Sequence, residues 1–250
     1  MNSRKLLVFD ISGEYGHFRK FNTTSSPLSY AIPTLPALAG LLGAVLGIER
    51  ETSPGVFPPG VQPVNECFGR AQSWWAIRLL RPVRKVHLAF NLLDTEKSAA
   101  SFFNIKNRTQ IEFELLKNPK YRIYFWHEEE RLRTAIARRL KAVEHHFTPY
   151  LGLSQLTATI EWQGTQEAKQ VANTDAYIPI HSALNLSALQ EEEQVQFGPA
   201  SYASATMPMA MRRDRVVTEY AEVLIEKNTL PVQLRTKQYW QTASANLIGL

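Results

Sequence analysis

Residues able to do chemistry cluster near the start of the chain. His17, with Tyr15 or Tyr30 and Lys20, offers the minimum set for a metal-free ribonuclease. That reaction needs a base for the 2′-hydroxyl, an acid for the leaving oxygen and a cation for the phosphorane. Metal chemistry has less to work with. The six histidines (His17, His87, His127, His145, His146 and His181) contain no i, i+4 pair, and neighbours such as His145 and His146 diverge on a helix. His127-Glu128 resembles the start of a zinc-protease helix, but Arg131 stands where the second histidine belongs. Cys67 is the sole cysteine, so neither a zinc ribbon nor an internal disulfide can form, and a reducing cytoplasm is the expected setting. There is no Gly-x-Ser-x-Gly elbow, and no Gly-Lys-Ser/Thr follows the glycines at 40, 43 and 47. No metal and no cofactor are therefore expected.

A second constellation is a basic, hydroxyl-bearing surface with aromatics interleaved. His17-x-Arg19-Lys20 with Thr23-Thr24-Ser25 has that make-up, as does Lys106-Asn107-Arg108-Thr109-Gln110. Lysine and arginine neutralise phosphates, hydroxyls and amides position the backbone, and aromatic rings stack unpaired bases. Charge supports this reading. The chain carries a net +5. Ten cations against four acids lie between Arg78 and Arg122, so this segment holds the whole excess and the remainder is about neutral.

The elements that must position these groups follow from local pattern. Leu6–Ile11 is an apolar run stopped by Ser12-Gly13 and reads as a buried strand; Gly13–Ile32 reads as a long loop. Thr34 can cap a helix over 35–47, with Pro36 in its first turn. Gly40, Gly43 and Gly47 share a face of it, which predicts close approach to a sheet. Strand character marks 73–80, 83–93, 109–116 and 121–126. A helix over 127–146 has acids at its start and cations near its end, and 156–162 alternates as a strand. Without the insertion at 83–116, this order is the split βαβ pattern of an α+β, ferredoxin-like (RRM-type) fold. Residues 1–165 form that domain, and residues 166–250, with short strands near 176–180, 194–197, 207–211, 216–225 and 231–235, a smaller β-rich region. The apolar stretch 31–48 is broken by Pro33, Thr34 and Pro36; its unbroken part spans about 20 Å as a helix, against a hydrocarbon core of about 30 Å, so no membrane span is expected.

Three longer patterns carry a family resemblance. The first is Phe9-Asp10-Ile11-x-Gly13-x-Tyr15-x-His17-Phe18-Arg19-Lys20, continued by Thr23-Thr24-Ser25-x-Pro27-x-x-Tyr30-x-x-Pro33 and the glycine-bearing helix. The second is Asn107-Arg108-Thr109-Gln110 with Leu116-x-x-Pro119-x-Tyr121-Arg122-Ile123-Tyr124; the third is Pro149-x-Leu151-Gly152-Leu153-Ser154. Together they resemble the CRISPR-associated Cas-five family, RAMP-type subunits of type I Cascade complexes, most closely its type I-B branch, over about residues 5–162. The resemblance implies a ferredoxin-like domain with a β-hairpin thumb at 83–116. It also implies a subunit that holds the 5′ handle of the crRNA, caps the filament of backbone subunits, contacts the large subunit and meets target DNA only through the complex. In the I-C branch this subunit cuts the repeat itself, but here Ile123 follows Arg122 and no Lys-His dyad lies beyond the thumb.

The expected function is thus a non-catalytic RNA-binding subunit. Its candidate contacts are Tyr15, His17, Arg19, Lys20, Thr23, Thr24, Ser25 and Tyr30 near the handle, with Arg84, Lys85, Lys106, Asn107, Arg108 and Gln110 along the thumb. A metal-free repeat endoribonuclease is the alternative. A generic RRM protein would need an RNP-like aromatic strand that this sequence lacks.

Overall fold

The structure is a computed structural model that describes residues 2–21, 23, 27–53, 55–93, 108–173, 175–190 and 192–250. Its first strand, β1 (Ser3–Ser12), contains the apolar run Leu6–Ile11. That run does not alternate because both faces are covered: Leu7, Phe9 and Ile11 enter one core, Leu6 and Val8 another. The segment expected to be loop then forms three two-residue strands, β2 (Tyr15–Gly16), β3 (Phe18–Arg19) and β4 (Ser29–Tyr30). Helix α1 (Leu35–Leu46) starts where its cap predicts, the Ala37 amide donating to Thr34 Oγ1 at 3.3 Å. A short helix α2 (Val64–Cys67) follows, then β5 (Ser73–Leu79), β6 (Lys85–Leu93), β7 (Arg108–Lys117) and β8 (Lys120–His127). Next come α3 (Glu130–Lys141) and β9 (Thr159–Ala172).

The remaining strands are β10 (Tyr177–Ile180), β11 (Leu184–Asn185), β12 (Gln194–Gln196), β13 (Tyr202–Met211), β14 (Val217–Glu226), β15 (Val232–Arg235), β16 (Gln238–Gln241) and β17 (Asn246–Leu247). The main sheet runs β17-β16-β9-β1-β8-β5, every neighbouring pair antiparallel. Both α1 and α3 bury their apolar sides on one face, through Leu38, Leu42, Val45, Ile136 and Leu140. Two smaller sheets, β10-β15-β12 and β11-β14-β13, complete the chain. The boundary expected at 165/166 falls inside β9, and β16 and β17 of the later region join the main sheet. Hairpin β6–β7 pairs from Lys85↔Leu116 to Leu93↔Arg108 and connects to β2 rather than to the main sheet. Its tip, residues 94–107, lies outside the described residues.

Three local expectations are corrected. The second helix is shorter than 127–146, because His127 ends β8 with a buried ring whose Nδ1 accepts from the Glu129 amide at 3.0 Å. At the other end Val143 turns left-handed at φ 57°, and the His146 and Phe147 amides then donate to the Ala44 carbonyl. Strand β9 is longer than 156–162, continuing past a bulge opposite Val8/Phe9, where Gly164 takes φ 103°. The glycines of α1 do not meet a sheet together. Gly43 faces α2, where a Cβ would overlap Val64; Gly47 is the left-handed cap at φ 82°; Gly40 faces open space.

On the face away from the helices, the segment 245–250 crosses the sheet. Ala245 and Leu247 pack on Leu6, Val8, Ala76, Tyr124 and Ala168, and the Leu250 amide reaches the Trp75 carbonyl of β5. To one side of this strap Asp10, 3% exposed, accepts a two-pronged bond from Arg122 at 2.7 and 2.9 Å. On the other side lie Trp74, Trp126 and Trp240 around Arg4.

Candidate nucleic-acid interface

One carboxylate ties the N-terminal segment to the hairpin. Glu114 of β7 accepts from the Ser29 amide at 2.9 Å and from Lys85 Nζ at 2.8 Å, and its backbone carbonyl meets His17 Nδ1 at 2.9 Å. Burial alone would raise the Glu114 carboxyl, but the Lys85 and Ser29 hydrogen bonds and the charges of Lys85 and His87 hold it below the usual range. His17 is 1% exposed, so it braces the loop from within. Burial pushes its imidazole below the usual range; the bond to Glu114 offsets part of that, and Arg19 adds to it. Behind His17, Gly152 sits at φ 91°, where a Cβ would overlap the His17 carbonyl oxygen. This close approach, with the His17 amide donating to Leu151 at 2.9 Å, fixes the loop from the other side.

Outward from this brace lies the basic surface. Arg19 is exposed and bonds the Thr23 carbonyl at 3.3 Å, while Thr23 Oγ1 bonds back to the Lys20 carbonyl at 3.0 Å. Beside it a groove of about 330 Å³ runs between Lys20, residues 29–32, the base of the hairpin and strands β13 and β14. Lys20, Lys85 and Lys227 line it, with Ser29, Ser204 and the small residues Ala203 and Ala205. Phe21 and Tyr220, 57% and 42% exposed, pack together near this loop with ring centres 4.8 Å apart. Cations, hydroxyls and exposed rings in one place suit an unpaired polynucleotide. A larger cavity of about 400 Å³ lies beside α1, next to Gly40. Its walls are mainly apolar and carry Glu49 and Glu51, and two of its three arginines, Arg213 and Arg215, are paired with Glu66 and Glu51, so it fits a polyanion less well.

The structure thus brings Arg19, Lys20, Thr23 and Lys85 to one side of the molecule. Tyr15 is half-buried in β2, and Tyr30 is 2% exposed with its hydroxyl donating to the Thr206 carbonyl at 2.8 Å. Arg84 and Gln110 are exposed on the hairpin, and Arg108 opens β7 opposite Leu93. Thr24, Ser25, Lys106 and Asn107 lie outside the described residues. Phe21, Ser204, Tyr220 and Lys227 were not singled out by the sequence; Ser204 and Tyr220 sit far downstream on strands whose local pattern signals only structure, and Lys227 directly follows β14. No group of three or more metal-ligating side chains occurs among the described residues, and no helix there is long and apolar enough to cross a membrane.

The fold is mostly β and is shared with CRISPR-associated proteins. A CRISPR protein from Archaeoglobus fulgidus superposes with a TM-score of 0.53 at 10% identity, covering 98% of this chain and 99% of that one. A chain of a CRISPR RNA-guided surveillance complex gives 0.50 at 11% identity, over 96% and 92%. A chain of a type III-B Cmr-beta complex bound to cognate target RNA and AMPPnP gives 0.51 at 11% identity, over 90% and 86%. At these identities the likeness is one of fold. No family model matches the sequence, and neither does any curated protein.

Proposed function

We propose that this chain is a non-catalytic RNA-binding subunit of a CRISPR RNA-guided complex, of the type I-B Cascade kind. In this reading it holds the 5′ handle of the crRNA in the groove beside Lys20, Lys85 and Lys227, caps the filament of backbone subunits and contacts the large subunit. The strand order β9-β1-β8-β5 with α1 and α3 on one face supports a ferredoxin-like core, and hairpin β6–β7 supports the thumb. The observation that carries the reading is a groove lined by Lys20, Lys227 and the Glu114-paired Lys85, on a fold shared with CRISPR-associated proteins. Against the endoribonuclease alternative stands the burial of His17, whose Nδ1 is already engaged by the Glu114 carbonyl.

Anisotropy of a labelled single-stranded CRISPR repeat RNA, titrated with the protein across a range of salt, tests this. Arg19→Glu with Lys20→Glu, and separately Lys227→Glu, should weaken binding and flatten the slope of log K against log[salt] by about 0.7 per lost phosphate contact. Gel analysis should return the RNA intact. An unchanged slope in both variants would remove the groove from the interface, and cleaved RNA would favour the nuclease.

A further inference from the structure

The tryptophan cluster beside the 245–250 strap is not absorbed by the RNA reading. Arg4 of β1 lies with its guanidinium carbon 4.5 Å from the ring centre of Trp126 and 4.6 Å from that of Trp240, with Trp74 at 6.0 Å. All four side chains belong to half-buried residues. Two rings thus lie within cation–π range of the guanidinium. Its N–H edge is unengaged: among the described residues Arg4 has no hydrogen-bond acceptor and no ion-pair partner. Burial also pushes the Arg4 pKa down, the sign of a cation partly stripped of water without a counter-charge. Arg133, the other cation near Trp126, differs, because its guanidinium already donates to the backbone carbonyls of His127 and Glu128.

We infer that this cluster is a docking site for a carboxylate-bearing segment of a partner protein, with the carboxylate bridging the free edge of Arg4 and apolar groups of that segment resting on Trp74 and Trp126. Charge complementarity selects the carboxylate, since a guanidinium set among rings with no acceptor of its own presents its donors as a fork that a planar anion matches. The occupant is protein rather than nucleic acid for two reasons. A stacked base needs a broad open aromatic face, but Trp126 and Trp240 each give one face to Arg4, and Trp74 packs on Trp240 with ring centres 5.9 Å apart, so these half-buried rings leave partial surface that suits apolar side chains better than a base. A polynucleotide also needs a row of cations, whereas Arg4 alone is unengaged at this spot. Tryptophan with arginine in a partly dry patch is the composition on which protein interfaces concentrate their binding energy.

The tryptophans themselves report on the test. Indole N–H signals of the whole protein, followed by two-dimensional NMR, should shift at Trp74, Trp126 and Trp240 when an acetylated Glu-Glu-Phe-Leu-Glu peptide is added to low-millimolar concentration. Trp75, buried in the helix-side core, and Trp162 should stay put. The same peptide with glutamines should bind about tenfold more weakly or less well still, the loss expected for a charge-assisted bond. Arg4→Met should abolish the preference for glutamate, and Arg4→Lys, which keeps the charge without the fork, should retain only part of it. Melting curves of both variants check that they fold. Equal response to both peptides, shifts confined to Trp75 and Trp162, or no shift in the wild-type protein would each overturn the proposal. So would oligouridylate shifting the three patch indoles in a manner lost in Arg4→Met, which would make the patch a nucleic-acid site. None of these outcomes depends on whether the lysine groove binds crRNA.

Discussion

Replacing the glycines of α1 one at a time separates two physical effects that the sequence merges. A glycine inside a helix costs about 1 kcal/mol relative to alanine, and at Gly40 nothing within 4 Å would meet the new methyl. Gly40→Ala should therefore stabilise the protein by up to about 1 kcal/mol, a rise in melting temperature of about 2–4 °C for a chain of this length. Gly43→Ala gains the same helix term, but its Cβ would overlap Val64 Cγ1 of α2. Overpacking of that kind costs about 1–3 kcal/mol, so the net change should be a loss of up to about 2 kcal/mol, and Gly43→Leu should lose more. Val64→Ala removes the obstructing methyl groups. The double variant Gly43→Ala with Val64→Ala should then lose less than its two singles added together, by about 0.5 kcal/mol or more. Urea midpoints and slopes for wild type and these five variants are the measurement. Gly43→Ala stabilising as much as Gly40→Ala, or strict additivity with Val64→Ala, would refute the assignment of Gly43 to the α1–α2 contact.

Other perturbations probe the braces of the candidate site. Because the folded state holds the Glu114 carboxyl below its unfolded value, its contribution is present above the usual glutamate range, about pH 4.3, and disappears as pH falls through the lower folded value. The melting-temperature gap between wild type and Glu114→Gln should therefore be widest near neutrality and close in acid; a gap that widens in acid would reverse the sign. Arg122→Met leaves the Asp10 carboxylate buried without its two-pronged partner and should cost on the order of 3 kcal/mol, read by urea unfolding, whereas a loss within experimental error would show that solvent already compensates Asp10. Gly152→Ala meets both a left-handed φ and the His17 carbonyl, so it should lower the melting temperature and expose the 17–30 segment to limited proteolysis. An unaltered digestion pattern would mean that this contact does not hold the loop.

What could be read from the sequence depended on how far apart the decisive residues lie. Thr34 capping α1, the apolar run of β1 and the paired patterns of the β6–β7 hairpin are local signals; the helix and hairpin appear within a residue or two of their expected place, and β1 holds its apolar run but begins three residues earlier. The helix glycines share a face by arithmetic, but which neighbour each meets is set by α2 and by His146, elements that the helix pattern does not mention. The site divides in the same way. Arg19, Lys20, Thr23 and Lys85 announce themselves as a basic, hydroxyl-bearing cluster. Lys227 joins them only because β14 packs beside the N-terminal segment, a contact across most of the chain. His17 was legible as a reactive type but not as a buried one, since its partner is a backbone carbonyl on Glu114.

The strap formed by residues 245–250 bears on how the protein folds during synthesis. Strand β1 is made first and sits at the centre of the sheet, yet Leu7 pairs with Phe125 and Thr165, and its neighbours Leu6 and Val8 are covered by Ala245 and Leu247. Contacts of such sequence separation make assembly slow, because the loops between them must close before any pairing is rewarded. Throughout that interval the apolar stretch Leu6–Ile11 has neither of its flanking strands, and it is the segment through which nascent chains would associate with one another.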